Sequence, residues 1–233
     1  MKNIIIADQI FDMFPSFRRE VIIVRSLQNR SSFKPVRRLL KQEIDNKIGM
    51  EYADDPRLQS WDEAHASFGS SPEKYLPSIK SLLKRIQTNA ALPFVNTVVA
   101  LFNYISLKYC LPCGGDDITA IEGNLVLGIA KGTETFQALG SEETENPAPG
   151  EVIYFDSKTQ NIMCRRWNWR NGEHTKIGLS SQSLVINIDC LPPTTTAIGV
   201  QAQEELVSLL EKHCEAKTEI GSLHKDCREF SVA

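Results

Sequence analysis

Hydrophobic residues change their spacing near the middle of the chain, and this change predicts the order of the secondary-structure elements. Before residue 110, apolar residues mostly recur every three or four positions, which is the helical spacing. This half predicts short strands at 2–6 and 21–24, and helices at 35–48, at 56–67, from residue 77 and at 93–110. The second half predicts strands at 125–130, 151–155, 162–169 and 184–188, then a helix at 201–215. Because the strands follow the helices without regular alternation, we predict an α+β fold.

The helix predicted at 93–110 is apolar around most of its circumference but carries a polar stripe. Asn96 and Asn103 are seven positions apart and therefore lie on nearly the same face. Such a stripe must meet either water or a specific hydrogen-bonding partner. The helix then runs into Gly114, Gly115, Asp116 and Asp117, where two glycines predict a sharp turn whose backbone can approach a ligand.

Residues 164–175 hold the densest chemistry of the chain, with three arginines, two tryptophans, a glutamate and a histidine. If this segment is extended, one face carries Arg166, Asn168 and Arg170, and the other carries Arg165, Trp167 and Trp169. A cation on each face disfavours a buried strand, because an unpaired buried charge is costly. Guanidinium groups fit phosphates and indole rings accept nucleobases, so we predict a groove for an RNA-like ligand. The alternative is an exposed edge strand with Trp–Arg ladders.

Length and composition predict a single folded unit. With 233 residues, 42% of them hydrophobic, the chain can bury a full core. We expect a mixed lead-in at 1–90, a central core at 91–195 and a C-terminal helix and tail at 196–233. The longest apolar runs are too short to span a membrane and no apolar leader opens the chain, so we expect a cytoplasmic protein without membrane contact.

Charge is distributed unevenly along the chain. The net charge is -3, yet residues 16–47 hold nine lysines or arginines against three acids. A positive lobe on an acidic body can direct a polyanion to one place, and the ordinary alternative is a solvated face of a strand and helix. The balance argues against a uniformly basic nucleic-acid binder, and we expect no DNA partner.

Cysteine spacing offers one candidate metal or redox motif. Cys110 and Cys113 are separated by two residues, and His213, Cys214, His224 and Cys227 could in principle complete a metal shell. No second pair has the standard spacing, and the motif ends an apolar helix, where cysteine usually packs as a small hydrophobe. We therefore predict reduced thiols, no metal and no cofactor.

Short motifs spread over about two thirds of the chain make it resemble a known family. They lie, in order, at residues 60–64, 68–69, 72–75, 83–85, 92–96, 102–104, 111–112, 114–117, 150–152 and 164–170. Together they resemble the B3/B4 domain of the bacterial phenylalanyl-tRNA synthetase beta chain, and still more the freestanding B3/B4-domain proteins. The resemblance implies a mostly antiparallel, barrel-like β core wrapped by helices. It also implies an editing site, which in the synthetases hydrolyses a wrongly attached amino acid from the 3′ end of tRNA.

The resemblance also suggests which residues act. The synthetase domain has a histidine after the proline of the helix-ending turn, where this chain has Gly114, and a glutamate in a later turn that corresponds to Glu173. The change at Gly114 implies an amino-acid specificity different from the synthetase's. Glu173 would hold the substrate amino group or the attacking water, with His174 and Thr175 as secondary candidates.

Residue type and face suggest the remaining roles in such a site. Asn96 and Asn103 would donate to the carbonyl or the ribose, and Asp116 or Asp117 would read a cationic side chain. The phosphates would meet Arg165, Arg166 and Arg170, and Trp167 or Trp169 would stack on the terminal adenine.

Three functions follow from this resemblance and from the residue types. The first is a freestanding deacylase that hydrolyses a mischarged aminoacyl-tRNA in trans. The second is a non-catalytic module that only binds tRNA or another structured RNA, which the loss of the histidine at Gly114 favours. The third is a binder of a small amino-acid-like ligand, because Trp–Arg pairs also hold carboxylates and amines.

Overall fold

A computed structural model describes residues 2–232. Most helices precede most strands along the chain, as predicted, and strands near both ends of the described range also join the sheets. The elements of the first half are β1 (Lys2–Ile6), α1 (Asp8–Met13), β2 (Arg18–Arg25), α2 (Lys34–Lys47), α3 (Pro56–Ser67), α4 (Ser78–Asn89) and α5 (Thr97–Tyr109). The second half contains β3 (Cys113–Asp117), a 3-10 turn (Ile118–Ala120), β4 (Leu125–Ile129), β5 (Phe136–Gln137), β6 (Thr144–Glu145), β7 (Val152–Asp156), β8 (Ile162–Arg165), β9 (Arg170–Asn171), β10 (Ser183–Cys190), α6 (Thr196–Cys214), β11 (Lys217–Leu223) and β12 (Glu229–Val232).

Two open sheets form the β core. One has the strand order β12-β1-β4-β7-β8-β9 and the other has the order β11-β2-β10-β3. Apart from the parallel pair β1–β4, the strands of these sheets pair antiparallel, and β5 and β6 form a small separate ribbon. The α+β class is confirmed, but the predicted barrel is wrong, because neither sheet closes on itself. The six-stranded sheet ends at the two-residue strand β9, and β3 is the edge of the other sheet, so both keep free edges.

The four-stranded sheet is buried on both faces. Val21 and Ile23 on β2 pack with residues of the six-stranded sheet, whereas Ile22 and Val24 pack against the helices. The order of layers is therefore helices, four-stranded sheet, six-stranded sheet. This burial on both sides explains why residues 21–24 are continuously apolar and do not alternate.

Both chain ends are hydrogen-bonded into this core. Strand β1 pairs with β12 and β4, and β2 pairs with β10 and β11. Segments 1–90 and 196–233, predicted as lead-in and tail, thus supply strands to both sheets. Across residues 2–232, none of the helices combines the length and the hydropathy that crossing a bilayer requires.

Helix α5 begins at a side-chain cap. The Asn96 side chain accepts a hydrogen bond from the backbone N–H of Val99 at 2.9 Å and donates to the carbonyl of Ile177 at 3.0 Å. The helix therefore starts three to four residues later than predicted, and it ends at Cys110, which adopts the left-handed conformation. Asn96 is buried and fastens the helix to the segment that follows β9.

The glycine pair after α5 lies in a strand, so the predicted sharp turn at 114–117 is wrong. Gly114 pairs with Asn187 of β10, and Gly115 pairs with Ile186. A Cβ on Gly115 would lie 2.7 Å from the carbonyl oxygen of Val185, so this glycine allows a close approach between strands.

We expect Asn96→Ala to destabilise the protein by about 2 kcal/mol, because it removes the helix cap and leaves the Ile177 carbonyl without its donor. Urea unfolding measures the change. Asn103→Ala on the same helix is the matched control and should change the free energy of unfolding by less than about 0.5 kcal/mol. Equal losses in the two variants would contradict the capping role.

Candidate functional site

The segment with the densest chemistry forms a tight hairpin, so the strand predicted at 162–169 is wrong beyond Arg165. Strand β8 ends at Arg165, and both Arg166 and Trp167 have positive φ angles, 47° and 65°. The chain then returns as β9, with Arg170 paired opposite Arg165. Two successive left-handed residues reverse the chain, so the predicted alternation of side chains between two faces does not extend through this segment.

Arg165 and Arg166 are buried against a carboxylate and do not project into a groove. Arg165 donates to both oxygens of Glu151 at 2.8 and 2.7 Å, and its remaining nitrogen pairs with Glu145 at 2.9 Å. Arg166 lies 3.4 Å from Glu151 and 3.7 Å above the ring of Tyr75. The predicted phosphate contacts of these two residues are therefore corrected, because their charges are already paired inside the protein.

Trp167 is part of the hydrophobic core, with only 2% of its surface exposed. Its indole packs against Phe14, Phe17 and Trp61 at centroid distances of 4.9, 4.9 and 5.2 Å. Its N–H donates to Asp189 at 3.0 Å. Stacking of Trp167 on an adenine is incompatible with this packing, whereas Trp169 is half-buried and keeps an edge contact with Tyr75 at 4.8 Å.

A cavity of about 550 Å³ opens beside β3, where the four-stranded sheet faces β7 and the β8–β9 hairpin. Helices α4 and α5 and the segment before α5 form its other walls. Nine of the residues predicted for the site line it: Asn103, Gly114, Gly115, Asp116, Trp167, Asn168, Trp169, Arg170 and Thr175. The helix that carries Asn103 and the hairpin thus share one cavity.

The other predicted residues lie outside this lining. Glu173 accepts a hydrogen bond from the Gly140 N–H at 2.9 Å and pairs with Lys176, which lowers the pKa of its carboxyl. His174 is exposed, with its ring nitrogen 3.0 Å from the carbonyl of Ala120. Asp117 caps the 3-10 turn by accepting from the Thr119 N–H at 3.0 Å. These three residues, like Asn96, Arg165 and Arg166, have structural partners where a direct contact with a ligand was predicted.

The innermost wall of the cavity contains polar residues that sequence reasoning missed. Arg19 on β2 and Asp189 on β10 are paired in register, so both point to the same face of the sheet as Asn187. That face is turned toward Tyr154 on β7, and all four residues line the cavity. A signal was present, because Asn187 and Asp189 alternate with two isoleucines and so predict a polar stripe on one face of a buried strand.

A buried ion pair anchors this wall. Arg19 donates to both oxygens of Asp189 at 2.6 and 2.9 Å, and its guanidinium lies 4.9 Å from the centre of the Tyr154 ring. Asp189 also accepts the indole N–H of Trp167, so the pair connects the four-stranded sheet to the hairpin.

Four buried polar atoms of the lining lack a well-aligned hydrogen-bond partner within residues 2–232, although the side chains of Tyr154 and Asn187 lie close enough to interact with each other. They are Arg19 Nη1, Tyr154 OH, Asn168 Nδ2 and Asn187 Oδ1. Burial of the Tyr154 hydroxyl raises its pKa, so it remains protonated. Buried polar groups are normally satisfied, and a cavity wall with several unsatisfied ones is suited to a polar ligand.

Asp116 supplies an ionisable group to the same cavity. The Thr175 hydroxyl donates to it at 2.5 Å, and burial raises the pKa of the Asp116 carboxyl to about 6, although Thr175 and Arg19 oppose the shift. A carboxyl with this pKa can accept and release a proton near neutral pH.

Cys110 and Cys113 are not part of a cluster of metal ligands within residues 2–232. Cys110 caps α5, and burial raises the pKa of its thiol to about 11, while Cys113 is buried at the start of β3. Within the part of the chain that the structure describes, no three His, Cys, Asp or Glu side chains come together as a metal would need.

Five of the nine lysines and arginines in the basic segment 16–47 form ion pairs with acidic side chains. The pairs are Arg18 with Glu20, Arg19 with Asp189, Arg30 with Glu215, Lys41 with Asp45 and Lys47 with Glu43. Lys34, Arg37 and Arg38 of this segment are exposed on α2. Two further exposed cations, Arg85 and Arg170, belong to the lining of the cavity.

Glu151→Gln should destabilise the protein by about 3 to 5 kcal/mol, because it leaves the buried Arg165 and Arg166 without their shared counter-charge. Glu145→Gln is the matched control: it also removes a partner of Arg165, but Glu145 is half exposed, so the loss should stay below about 1 kcal/mol. Chemical denaturation near neutral pH compares the two. A smaller effect at Glu151 than at Glu145 would show that the buried charges are not coupled in this way.

Asp116 should make stability depend on pH between about 4 and 6. Its pKa rises from 3.8 in the unfolded chain to about 6 in the folded protein, so the folded state binds the proton more tightly and loses stability as pH rises through this window. Asp116→Asn removes this dependence and keeps an acceptor for Thr175. Relative to the parent protein, the variant should gain stability from pH 4 to pH 6, by at most about 3 kcal/mol, and stay level above that. Denaturant unfolding over this pH range tests the prediction, which a constant difference would refute.

The chain is similar in fold to proteins of known structure. A search of curated proteins gives no match. Among solved structures, the chain is similar to the N-terminal fragment of the phenylalanyl-tRNA synthetase beta subunit from Pyrococcus horikoshii, with a TM-score of 0.50 and 13% identity over 91% of this chain. The chain covers 49% of that fragment, and this likeness concerns the fold alone. The B3/4 domain model matches residues 60–218, which is more than half of the 233 residues. The predicted resemblance is thereby confirmed, and the chain belongs to the B3/4 domain family.

Proposed function

We propose that this protein hydrolyses the ester bond of a mischarged aminoacyl-tRNA in trans in the cytoplasm, with the aminoacyl group bound in the cavity. The observation that carries the proposal is the cavity itself, about 550 Å³ in volume and walled by both sheets and by α4 and α5. Its volume lies within the range of small-molecule sites, and its inner wall is polar. The family supports this proposal, since a relative of the same fold is part of a tRNA synthetase.

The chemistry requires an oriented water molecule and stabilisation of the developing oxyanion. An aminoacyl ester is already activated, so no covalent nucleophile is needed. Asp116, whose carboxyl has a pKa of about 6, accepts the proton of the attacking water and returns it to the ribose oxygen when the ester bond breaks, and Thr175 holds that carboxyl in position. The amides of Asn103 and Asn168, which line the cavity from α5 and from the hairpin, donate to the oxyanion. Glu173 and His174 stand outside the lining and have no contact with the reacting atoms in this proposal.

The mouth of the cavity accommodates the end of the tRNA. Trp169 is half-buried there and offers an aromatic surface to the terminal adenine, while Arg85 and Arg170 are exposed cations. Within residues 2–232, neither arginine forms an ion pair with an acidic side chain, so both remain available to phosphates.

A second candidate function is the binding of a small amino-acid-like ligand without RNA. The pairing of Arg165 and Arg166 with Glu151 favours it, because two of the three hairpin cations predicted to contact phosphates are internally neutralised. Under this alternative the cavity contacts are kept, but binding requires no nucleic acid.

Release of amino acid from a panel of mischarged tRNAs tests the deacylase function. The parent protein should hydrolyse at least one aminoacyl-tRNA, and Asp116→Asn should lower kcat by about a hundredfold or more because it removes the proton acceptor. Asp117→Asn is the matched control, since Asp117 is the adjacent carboxylate, lies outside the cavity and keeps its cap as asparagine.

Three results would count against this proposal. Inactivity of the parent protein on every aminoacyl-tRNA would reject hydrolysis, and full activity of Asp116→Asn would reject the proposed role of Asp116. Salt-dependent tRNA binding without hydrolysis would favour a non-catalytic RNA-binding module.

A further inference from the structure

Three buried polar atoms of the cavity lining lack a well-aligned hydrogen-bond partner and belong to residues that the proposed hydrolysis does not use. They are Arg19 Nη1, Tyr154 OH and Asn187 Oδ1, carried by β2, β7 and β10. We infer that these residues form a specificity subsite for a neutral hydrogen-bonding group, a hydroxyl or a carboxamide, carried by the side chain of the ligand.

The atoms themselves define what must bind. Arg19 Nη1 is a donor and requires an acceptor, whereas Asn187 Oδ1 is an acceptor and requires a donor. The Tyr154 hydroxyl can act either as a hydrogen-bond donor or as an acceptor. A hydroxyl or a carboxamide offers both functions in one group. An aliphatic side chain would leave Arg19 Nη1 unpaired, and would leave Tyr154 and Asn187 with no more than their mutual contact, in a site from which it also excludes water.

Charged groups satisfy the subsite less completely. A carboxylate only accepts, so it would leave Asn187 Oδ1 unpaired, and it would approach two further carboxylates, those of Asp189 and Asp116. An ammonium or guanidinium group only donates, so it would leave Arg19 Nη1 unpaired beside a like charge. Asp189 already neutralises Arg19 through two hydrogen bonds, so the subsite needs no net charge from its ligand.

The subsite is rigid before any ligand arrives. Arg19 is held by Asp189 and by the Tyr154 ring, and Asp189 is held in turn by the Trp167 N–H. Asn187 and Tyr154 belong to strands in the interiors of the two sheets. Groups fixed in this way lose little freedom on binding, and such preorganised sites discriminate strongly against a ligand that lacks the matching polar group.

That the ligand is an aminoacyl group rests on the proposed function, but the subsite is testable with small molecules alone. Isothermal titration calorimetry of the full chain with amino acid α-carboxamides provides matched pairs: threonine amide with valine amide, and glutamine amide with glutamate α-amide and with methionine amide. In at least one set, the neutral polar member should bind about tenfold more tightly than its apolar counterpart, and in the glutamine set also more tightly than glutamate α-amide.

Tyr154→Phe and Asn187→Leu should each reduce this preference to about twofold or less, because the first removes one hydroxyl and the second replaces the carboxamide with an apolar group of similar shape. Tyr154→Phe deletes only a hydroxyl and keeps the ring beside Arg19, so it tests the idea even if Asn187→Leu fails to fold. Asp117→Asn, outside the cavity, should keep the full preference.

Tighter binding of the apolar or charged members, or no binding of any amide at millimolar concentration, would overturn the subsite. A preserved preference in Tyr154→Phe would do the same. These outcomes can be distinguished from those of the deacylase assay. Binding of neutral polar amides without ester hydrolysis refutes only the enzyme, whereas hydrolysis that prefers aliphatic aminoacyl groups refutes only the subsite.

Discussion

The buried pair of Arg19 and Asp189 is the interaction on which the cavity depends. It lies on the face of the four-stranded sheet that is turned toward the six-stranded sheet, where an unpaired charge would cost several kcal/mol. Asp189 accepts three hydrogen bonds, two from Arg19 and one from Trp167, and Trp167 lies in the core beside Trp61. One carboxylate therefore fixes the inner wall of the cavity and the hairpin that closes it.

A buried carboxylate that accepts several hydrogen bonds also stabilises the β8–β9 hairpin. The guanidinium groups of Arg165 and Arg166 converge on Glu151, and this carboxylate also accepts the N–H of Ala148. Arg165 and Arg166, which were predicted to contact a ligand, thus stabilise the turn that positions Asn168 and Trp169 at the cavity. Arg165 and Arg166 therefore affect the shape of the site, and the exposed cations in the lining of the cavity that form no ion pair within residues 2–232 are Arg85 and Arg170.

Sequence reasoning located elements better than it located partners. Helix α5 and strand β10 were predicted within a few residues, because their hydrophobic spacing is local information. The burial of Trp167 was not predictable from the segment around it, since the aromatic residues that enclose it come from residues 14, 17 and 61. The partner of Arg165 was also not predictable from its own segment, because Glu151 lies 14 positions earlier, in the separate motif at residues 150–152. Residue type assigned Asn103, Trp169 and Arg170 to one site, and these residues do line one cavity, but the polar inner wall of that cavity depends on strand register, which residue type alone does not encode.

The residues proposed to select the ligand lie on strands inside the two sheets, and this position limits how their spacing can change. Arg19, Tyr154 and Asn187 are spread over three strands of two sheets, so their spacing is set by strand pairing and packing, with little freedom for loop movement to alter it. The walls contributed by α4, by the segment before α5 and by the hairpin are single elements that can vary without disturbing the sheets. A family built on this fold can thus alter the group it selects by substituting one side chain on β2, β7 or β10, while the mouth adapts separately to what the ligand is attached to. Because a bound ligand displaces water from the hydrogen-bonding atoms of the inner wall, such a substitution changes the relative affinity for different ligands.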